Sequence, residues 1–478
     1  MVQGMEVKLN LTELVQDEVL RLLHTFSLLV SPRWELRLDL ETLSNRLVEI
    51  QREFRSDRAI EDALDDAEGF VLPPEVAQRD IKAYQAHDSS LVEMIRSSLA
   101  VHKQDRFNRE RCDASFARDV EYERLSALAT TGVVIDTPTD LIRGHPRDNP
   151  RRLTKRLHTV YVKAAYEVWR KGQGIILPRS QLTLKDQLML KDNHPHFQPK
   201  YLAKEGRFLM DCSNSDSGQV LNTPEVKEAV LARYGKIVHP TLTTIFTRWY
   251  EFAWSNNVEL KQCLGWKCDF KGAFAQLDIQ PESCPLLSID IGDGLVLVYH
   301  SGLYGWLGFP MAFGILTRAC ERRANSYASE DPTSGPVDIY VDDAMALSLA
   351  ERASVEQKRY AADCETALGP KAMNYAKEVA PTTRLEIVGW LVNLIDESFC
   401  PSDKASQKLT FAFVIVAGNY PMGMDTYQIL ASLADRYSHG ILGMRPFVFP
   451  LHEMSRRFHG RIFLKIKPSS AAMMCIQM

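Results

Sequence analysis

The stretch 337–350, VDIYVDDAMALSLA, constrains this chain more than any other. Val337, Ile339 and Val341 alternate as one face of a strand, Ala344 to Leu349 form a second apolar run, and Asp342-Asp343 lies between the two. That pattern predicts a β-hairpin with adjacent carboxylates at its tip. Like charges in a partly desolvated site repel, so the pair is costly unless a cation neutralises it. Mg²⁺ takes oxygen ligands, commonly one or two carboxylates together with substrate phosphates. An Asp-Asp turn by itself is common, so any chemistry needs partners elsewhere in the chain.

Two segments upstream supply candidates. In WKCDFKGAFAQLDI, 266–279, Asp269 follows the apolar approach Leu264, Trp266 and Cys268, which predicts a strand end with its carboxylate facing a site; Phe274 comes five residues later. An Asp some seventy residues before an Asp-Asp hairpin suggests three carboxylates gathered by neighbouring strands. Two-metal phosphoryl transfer uses such a set, with ions about 3.5–4 Å apart. Between them lies GLYGWLGFPMAFGILTRACERRA, 302–324, where Gly302, Gly305 and Gly308 permit close backbone approach and Pro310 opens a helix.

The rest of the chain frames these motifs. With 478 residues, three domains or so are expected. Residues 1–135 read as mainly helical, with a periodic apolar stripe at 11–26 and weaker ones at 42–54 and 89–103. A basic connector occupies 136–200 and enters a helix around 153–171. Strand-like runs dominate 205–395, including a hairpin at 288–300 around Gly292-Asp293-Gly294, and 350–368 reads as a helix stopped by Gly369-Pro370. A further helix is expected at 425–439, and 461–478 reads as a ragged tail.

Net charge is −4, which makes no overall case for nucleic acid, but nine Lys/Arg fall between 143 and 171 against Asp148 and Glu167. Interleaved with Tyr161, Tyr166 and Trp169, this stretch reads either as a solvated face or as a surface that tracks phosphates while its rings stack on bases. The longest apolar run, 411–418, is too short to cross a membrane, there is no secretory signal layout, and the nine cysteines form no CxxC pair. An intracellular protein, cytoplasmic or nuclear, without membrane contact is expected.

In their order, the three segments resemble the palm of reverse transcriptases. DFKGAF at 269–274 is similar to the family's first catalytic motif, LYGWLGFPMAFG at 303–314 to its second, and YVDD at 340–343 to its signature tetrapeptide. GRFLMD at 206–211 resembles a fingers segment, and Lys377 with LEIVGWLV at 385–392 resembles the leaving-group lysine and the primer-grip hairpin. The resemblance covers about 195–456. It implies an α+β right-hand polymerase fold: fingers and palm over 201–400, a thumb-like segment over 401–460, and a helical N-terminal region. It implies an RNA-directed DNA polymerase of a retrotransposon-type element, adding dNTPs to a primer on an RNA or DNA template.

Asp269, Asp342 and Asp343 would hold two Mg²⁺, with Mn²⁺ as a substitute, and Lys377 would assist pyrophosphate departure. Arg207, Phe274, Tyr304 and Gly305 would bind the nucleotide, the Phe274 ring excluding a 2′-hydroxyl. Tyr340, Gly389 and Trp390 would contact primer and template. Tyr304 departs from the family pattern, where Gln or Phe is expected. The residues after 456 are too few for a ribonuclease H domain, so a truncated retroelement reading frame is expected. The alternatives are an inactive remnant that binds nucleic acid or a partner, and an RNA-dependent RNA polymerase, against which the ring at 274 argues.

Overall fold

A computed structural model describes residues 67–138, 141, 155–199, 206–213, 220–402, 422–423 and 463–464. The expected helices at 11–26, 42–54 and 425–439, the basic residues between 143 and 152, and the tail beyond 464 lie outside them. The first helices are α1 (Pro74–Ala86), α2 (Leu91–His102), α3 (Arg109–Phe116), α4 (Tyr122–Thr131) and α5 (Lys155–Arg170). Then come β1 (Gly174–Pro178), α6 (Leu184–Met189), β2 (Asp192–Pro199), β3 (Gly206–Asp211), α7 (Pro224–Tyr234), α8 (Leu242–Ser255) and β4 (Cys263–Asp269). The chain continues through β5 (Ser288–Gly292), β6 (Leu295–Tyr299), α9 (Gly308–Glu330), β7 (Val337–Tyr340), β8 (Asp343–Leu349) and α10 (Ala353–Leu368). Strands β9 (Val379–Thr382), β10 (Arg384–Ile387), β11 (Trp390–Asn393) and β12 (Ser398–Pro401) follow. Helix and sheet are thus mixed, and the described residues between 67 and 135 are mainly helical.

Local chemistry accounts for many boundaries. Thr223 caps α7 by accepting from the Val226 amide, with Pro224 in the first turn, where its missing N–H costs nothing. Thr241 caps α8 in the same way. Gly369 ends α10 at φ 118°, a backbone that a side chain would strain.

Two larger sheets organise the chain. One runs β1-β6-β5-β2-β3, and the other runs β7-β8-β4-β9 and is antiparallel throughout. A smaller sheet joins β10, β11 and β12. The second sheet is covered on both faces. Along β8, Ala344 and Ala346 enter the main core, which also takes Phe313, Leu316 and Cys320 of α9 and Tyr360 and Cys364 of α10. Met345 and Leu347 point the other way, into a second core with Ile245 and Trp249 of α8 and Leu385, Ile387 and Trp390 of the small sheet. This explains why AMALSL is a nearly continuous apolar run: neither face meets water. Removing Leu347, which is fully buried, would cost about 2–5 kcal/mol.

The helical N-terminal part is tied to α9 by ion pairs. Arg318 donates to both carboxylate oxygens of Glu121 at 2.9 and 2.8 Å, and Arg322 donates to those of Asp119 at 2.9 and 2.6 Å. Burial pushes the Glu121 carboxyl up, but Arg318 and Arg322 more than reverse this and hold it at about 2, against an ordinary 4.5. Because the folded value lies below the unfolded one, its contribution is complete above about pH 4.5 and is lost as pH falls towards 2. Glu121→Gln should therefore lower unfolding free energy at neutral pH by about 3 kcal/mol at most. The wild-type advantage should shrink below pH 4.5. Urea unfolding of both proteins across that range measures it, and a pH-independent difference would refute the assignment.

Candidate active site

The register of the central strand pair places the carboxylates. β4 runs antiparallel to β8 from Cys263 opposite Leu349 to Asp269 opposite Asp343, so the two aspartates face each other at one end of the ladder. β7 closes on β8 with Tyr340 opposite Asp343, leaving Val341 and Asp342 as a two-residue turn. The Phe270 amide donates to the Asp342 carbonyl at 3.0 Å and locks that turn against the end of β4. The sequence expectation put Val341 on the strand face and Asp342-Asp343 at the tip. Instead the turn is one residue earlier, Val341 has φ 59° and Asp343 opens β8. Tight hairpin turns require positive φ, and a β-branched residue there costs on the order of 1–3 kcal/mol.

Two lysines face the three carboxylates at this end. The Asp269 side chain is buried, and Asp342 and Asp343 are half-buried. Lys377 places Nζ 3.0 Å from Asp269 Oδ2 and 3.1 Å from Oδ1. Asn374 donates to Asp269 Oδ2 at 2.8 Å from its side chain and to the Asp269 carbonyl at 2.8 Å from its backbone. Lys267 reaches Asp343 Oδ2 at 3.4 Å. Burial pushes the Asp342 carboxyl up, and the charges of Asp269 and Asp343 push it further. Among the described residues no three His, Cys, Asp or Glu side chains form a ready-made metal-ligand group; two of the three carboxylates turn to lysines instead. Sequence reasoning missed Asn374 and Lys267. For Lys267 a signal existed, since residues two apart in a strand share a face and Asp269 is the next on that face.

A second cluster lies along the glycine-rich segment. Phe274 sits in a 3₁₀ turn, its ring 4.9 Å from Tyr304 and 6.1 Å from Phe313, and almost wholly buried. Gly305 has φ 127°, and a Cβ there would lie 1.8 Å from the Met210 carbonyl oxygen, so only glycine fits. Tyr340 packs against the His239 ring at 4.8 Å. Gly389, at φ 82°, forms the tight turn between β10 and β11 with Val388 at 48°. Trp390 is buried in the core that Tyr340 borders. Arg207 lies on β3 opposite Gln198, and its side chain is outside the described residues.

The aromatic residues of the basic stretch have structural partners. Tyr166 and Trp169 stack on each other at 5.7 Å and 20°, Phe70 packs on Tyr166, and the Arg79 guanidinium lies 4.0 Å over Trp169. Trp169 Nε1 donates to Asp80 at 3.1 Å, and burial raises the Tyr161 hydroxyl. Rings engaged in this way serve the packing of α5 on α1. Among the described residues no helix is long and apolar enough to cross a membrane.

No family model matches this chain, and no match is found among curated protein sequences. Among solved structures it is similar to a foamy viral protease-reverse transcriptase dRH in complex with double-stranded DNA, at 12% identity and a TM-score of 0.43. That alignment covers 77% of this chain and 58% of the viral one. The foamy viral protease-reverse transcriptase with an RNA/DNA hybrid gives 11% identity, a TM-score of 0.45, and coverage of 79% and 46%. With dsDNA it gives 12%, 0.40, 77% and 68%. The chain thus spans about half to two thirds of those chains. At so distant a likeness, the functional case stands on the chain's own residues.

The charge balance gives a test that needs no activity. Asp342 carries a folded value raised by burial and like charges, so its ionised form opposes folding above that value. Asp342→Asn should raise the Tm by a few degrees at pH 7 in chelator-containing buffer, by differential scanning calorimetry. A fall in Tm would contradict the repulsion.

Proposed function

We propose that this chain is an RNA-directed DNA polymerase of a retroelement of the retrotransposon type, extending a primer 3′-end with dNTPs on an RNA or DNA template. The observation that carries the reading is the β4–β8 register, which brings Asp269 opposite Asp343 with Asp342 in the adjoining turn. In this reading β7-β8-β4-β9 with α9 and α10 is the palm and the sheet containing β2 and β3 belongs to the fingers; the thumb expected at 401–460 lies almost wholly outside the described residues.

The donor set fits a hard divalent cation: every ligand is a carboxylate oxygen, and half-buried Asp342 is pushed towards protonation by burial and by the charges of Asp269 and Asp343. Asp269, Asp342 and Asp343 would hold two Mg²⁺, or Mn²⁺ in its place. Bound ions supply activation of the attacking oxygen and charge compensation on the leaving one. Lys377 serves as proton donor or electrostatic aid at the pyrophosphate. Burial pulls its ammonium down, but Asp269, Asp342 and Asp343 together raise it, so it is charged at neutral pH. Arg207 binds nucleotide phosphate. The Phe274 ring closes the space at the 2′-carbon, with Tyr304 against it, and Gly305 lets backbone approach the nucleotide. Tyr340 and Gly389 contact primer and template, and Trp390, buried in the core behind Gly389, supports that turn.

One observation favours a second reading, a catalytically inactive remnant that binds nucleic acid. Lys377 and Lys267 already neutralise Asp269 and Asp343, and a salt-bridged carboxylate cluster needs no metal.

Primer extension on poly(rA)·oligo(dT) with Mg²⁺ or Mn²⁺ separates the two. The wild type should incorporate dTTP, and Asp342→Asn should fall to background while keeping template-primer affinity, since that affinity comes mainly from cationic contacts. Undiminished extension by the variant would exclude the carboxylate site, and an inert wild type would favour the remnant. Phe274→Val should lower the dTTP-over-UTP ratio of kcat/KM, because relieving a steric clash gains more than a lost contact costs. An unmoved ratio would remove Phe274 from the gate.

A further inference from the structure

Tyr304 has no regular secondary structure to hold it. It lies in the loop between β6 and α9, next to a glycine at φ 127°, yet its ring meets Phe274 at 4.9 Å and 60°. Two of the contacts that fix that loop run to the chain ahead of α7. The Met210 amide of β3 donates to the Tyr304 carbonyl at 3.0 Å. The other attachment is a single side chain, Asn222, which no motif singled out.

Asn222 spans the loop. Its Nδ2 donates to the Gly305 carbonyl at 2.8 Å and to Ser213 Oγ at 2.9 Å, and its Oδ1 accepts from the Leu307 amide at 3.0 Å. Its own amide donates to the Cys212 carbonyl at 2.9 Å, which anchors the residue beside the end of β3. A primary amide has two N–H donors and one carbonyl acceptor, and all are engaged. One planar amide thus gives to Gly305 and receives from Leu307 at once. On the opposite side the loop has no slack, because Gly305 backs onto the Met210 carbonyl, and a Cβ on Gly302 would lie 2.2 Å from the Phe274 carbonyl oxygen. Phe274 is therefore held from the Gly302 side, and Tyr304 from the Asn222 side.

We propose that Asn222 is the positioning residue that sets Tyr304 against Phe274, and so sets how tightly the pair closes around the sugar of an incoming nucleotide. This rests on the polymerase reading above. Asn222 is half-buried and Gly305 is exposed, so water can replace the lost bonds when the amide is removed. The fold then survives while the loop loses its position, which separates this role from a structural one.

Hydrogen exchange on the full-length chain tests the clasp without any activity. In Asn222→Ala the Leu307 amide should exchange about tenfold faster, with the α9 interior unchanged and the Tm nearly so. Asn222→Asp retains an acceptor for Leu307 but puts a carboxylate against the Gly305 carbonyl, so it should protect the Leu307 amide better than Ala does while still releasing the loop. Unchanged Leu307 exchange in Asn222→Ala overturns the clasp. In single-nucleotide extension, both variants should raise the KM for dTTP more than they lower kcat, and should lower the dTTP-over-UTP ratio about fivefold or more. If exchange rises but an active enzyme keeps its ratio and KM, the role in sugar choice is overturned. If the wild type extends no primer, the polymerase reading and the sugar role fall together, and exchange at Leu307 still decides whether Asn222 holds the loop.

Discussion

The pairing of β4 with β8 is the constraint on which the remaining structure depends. Seven residue pairs in unbroken antiparallel register bring Asp269 level with Asp343. A slip of one residue would turn Met345 and Leu347 out of the second core and move Asp343 away from Asp269 together. The same apolar alternation that makes the strand fold therefore holds the acidic end in place. Hydrophobic burial on both faces supplies the energy that keeps like charges side by side.

Around that strand pair, the donors that face the carboxylates come from two parts of the chain. Lys267 lies on β4 itself, and Asn374 and Lys377 come from the turn after α10. The same division holds behind the glycine-rich segment, where α9 is gripped through Arg318 and Arg322 by acidic residues at the start of α4. A helix fixed from behind in this way gives the loop at its N-terminus a rigid support. The N-terminal helices thus belong to the mechanical frame of the site and share its main core.

Much of the site was legible locally. The Asp-Asp pair inside two apolar runs, the Asp at the end of WKCD and the glycines at 302, 305 and 308 all stand where their side-chain or backbone demands put them. Local pattern also failed in an instructive way at Val341. Alternation assigned it to the strand, but the turn needed two residues between paired Tyr340 and Asp343, and the one available was β-branched. The basic stretch left two readings open, a solvated face or a base-stacking surface, and local pattern could not show that Arg79, Asp80 and Phe70, far away in sequence, engage Tyr166 and Trp169.

The sequence by itself determined the hairpins, the helix caps and stops, and the residue types able to carry charge at the site, because periodicity, proline and glycine act over a few residues. Only the tertiary structure decided which strands pair, and hence that Asp269 meets Asp343. It alone decided that Lys377 and Asn374 reach across to Asp269, and that Asn222 holds the loop carrying Tyr304. Those contacts join residues tens of positions apart. Such contacts leave no periodic trace, because they depend on how two buried faces and their connecting turns fit together in space.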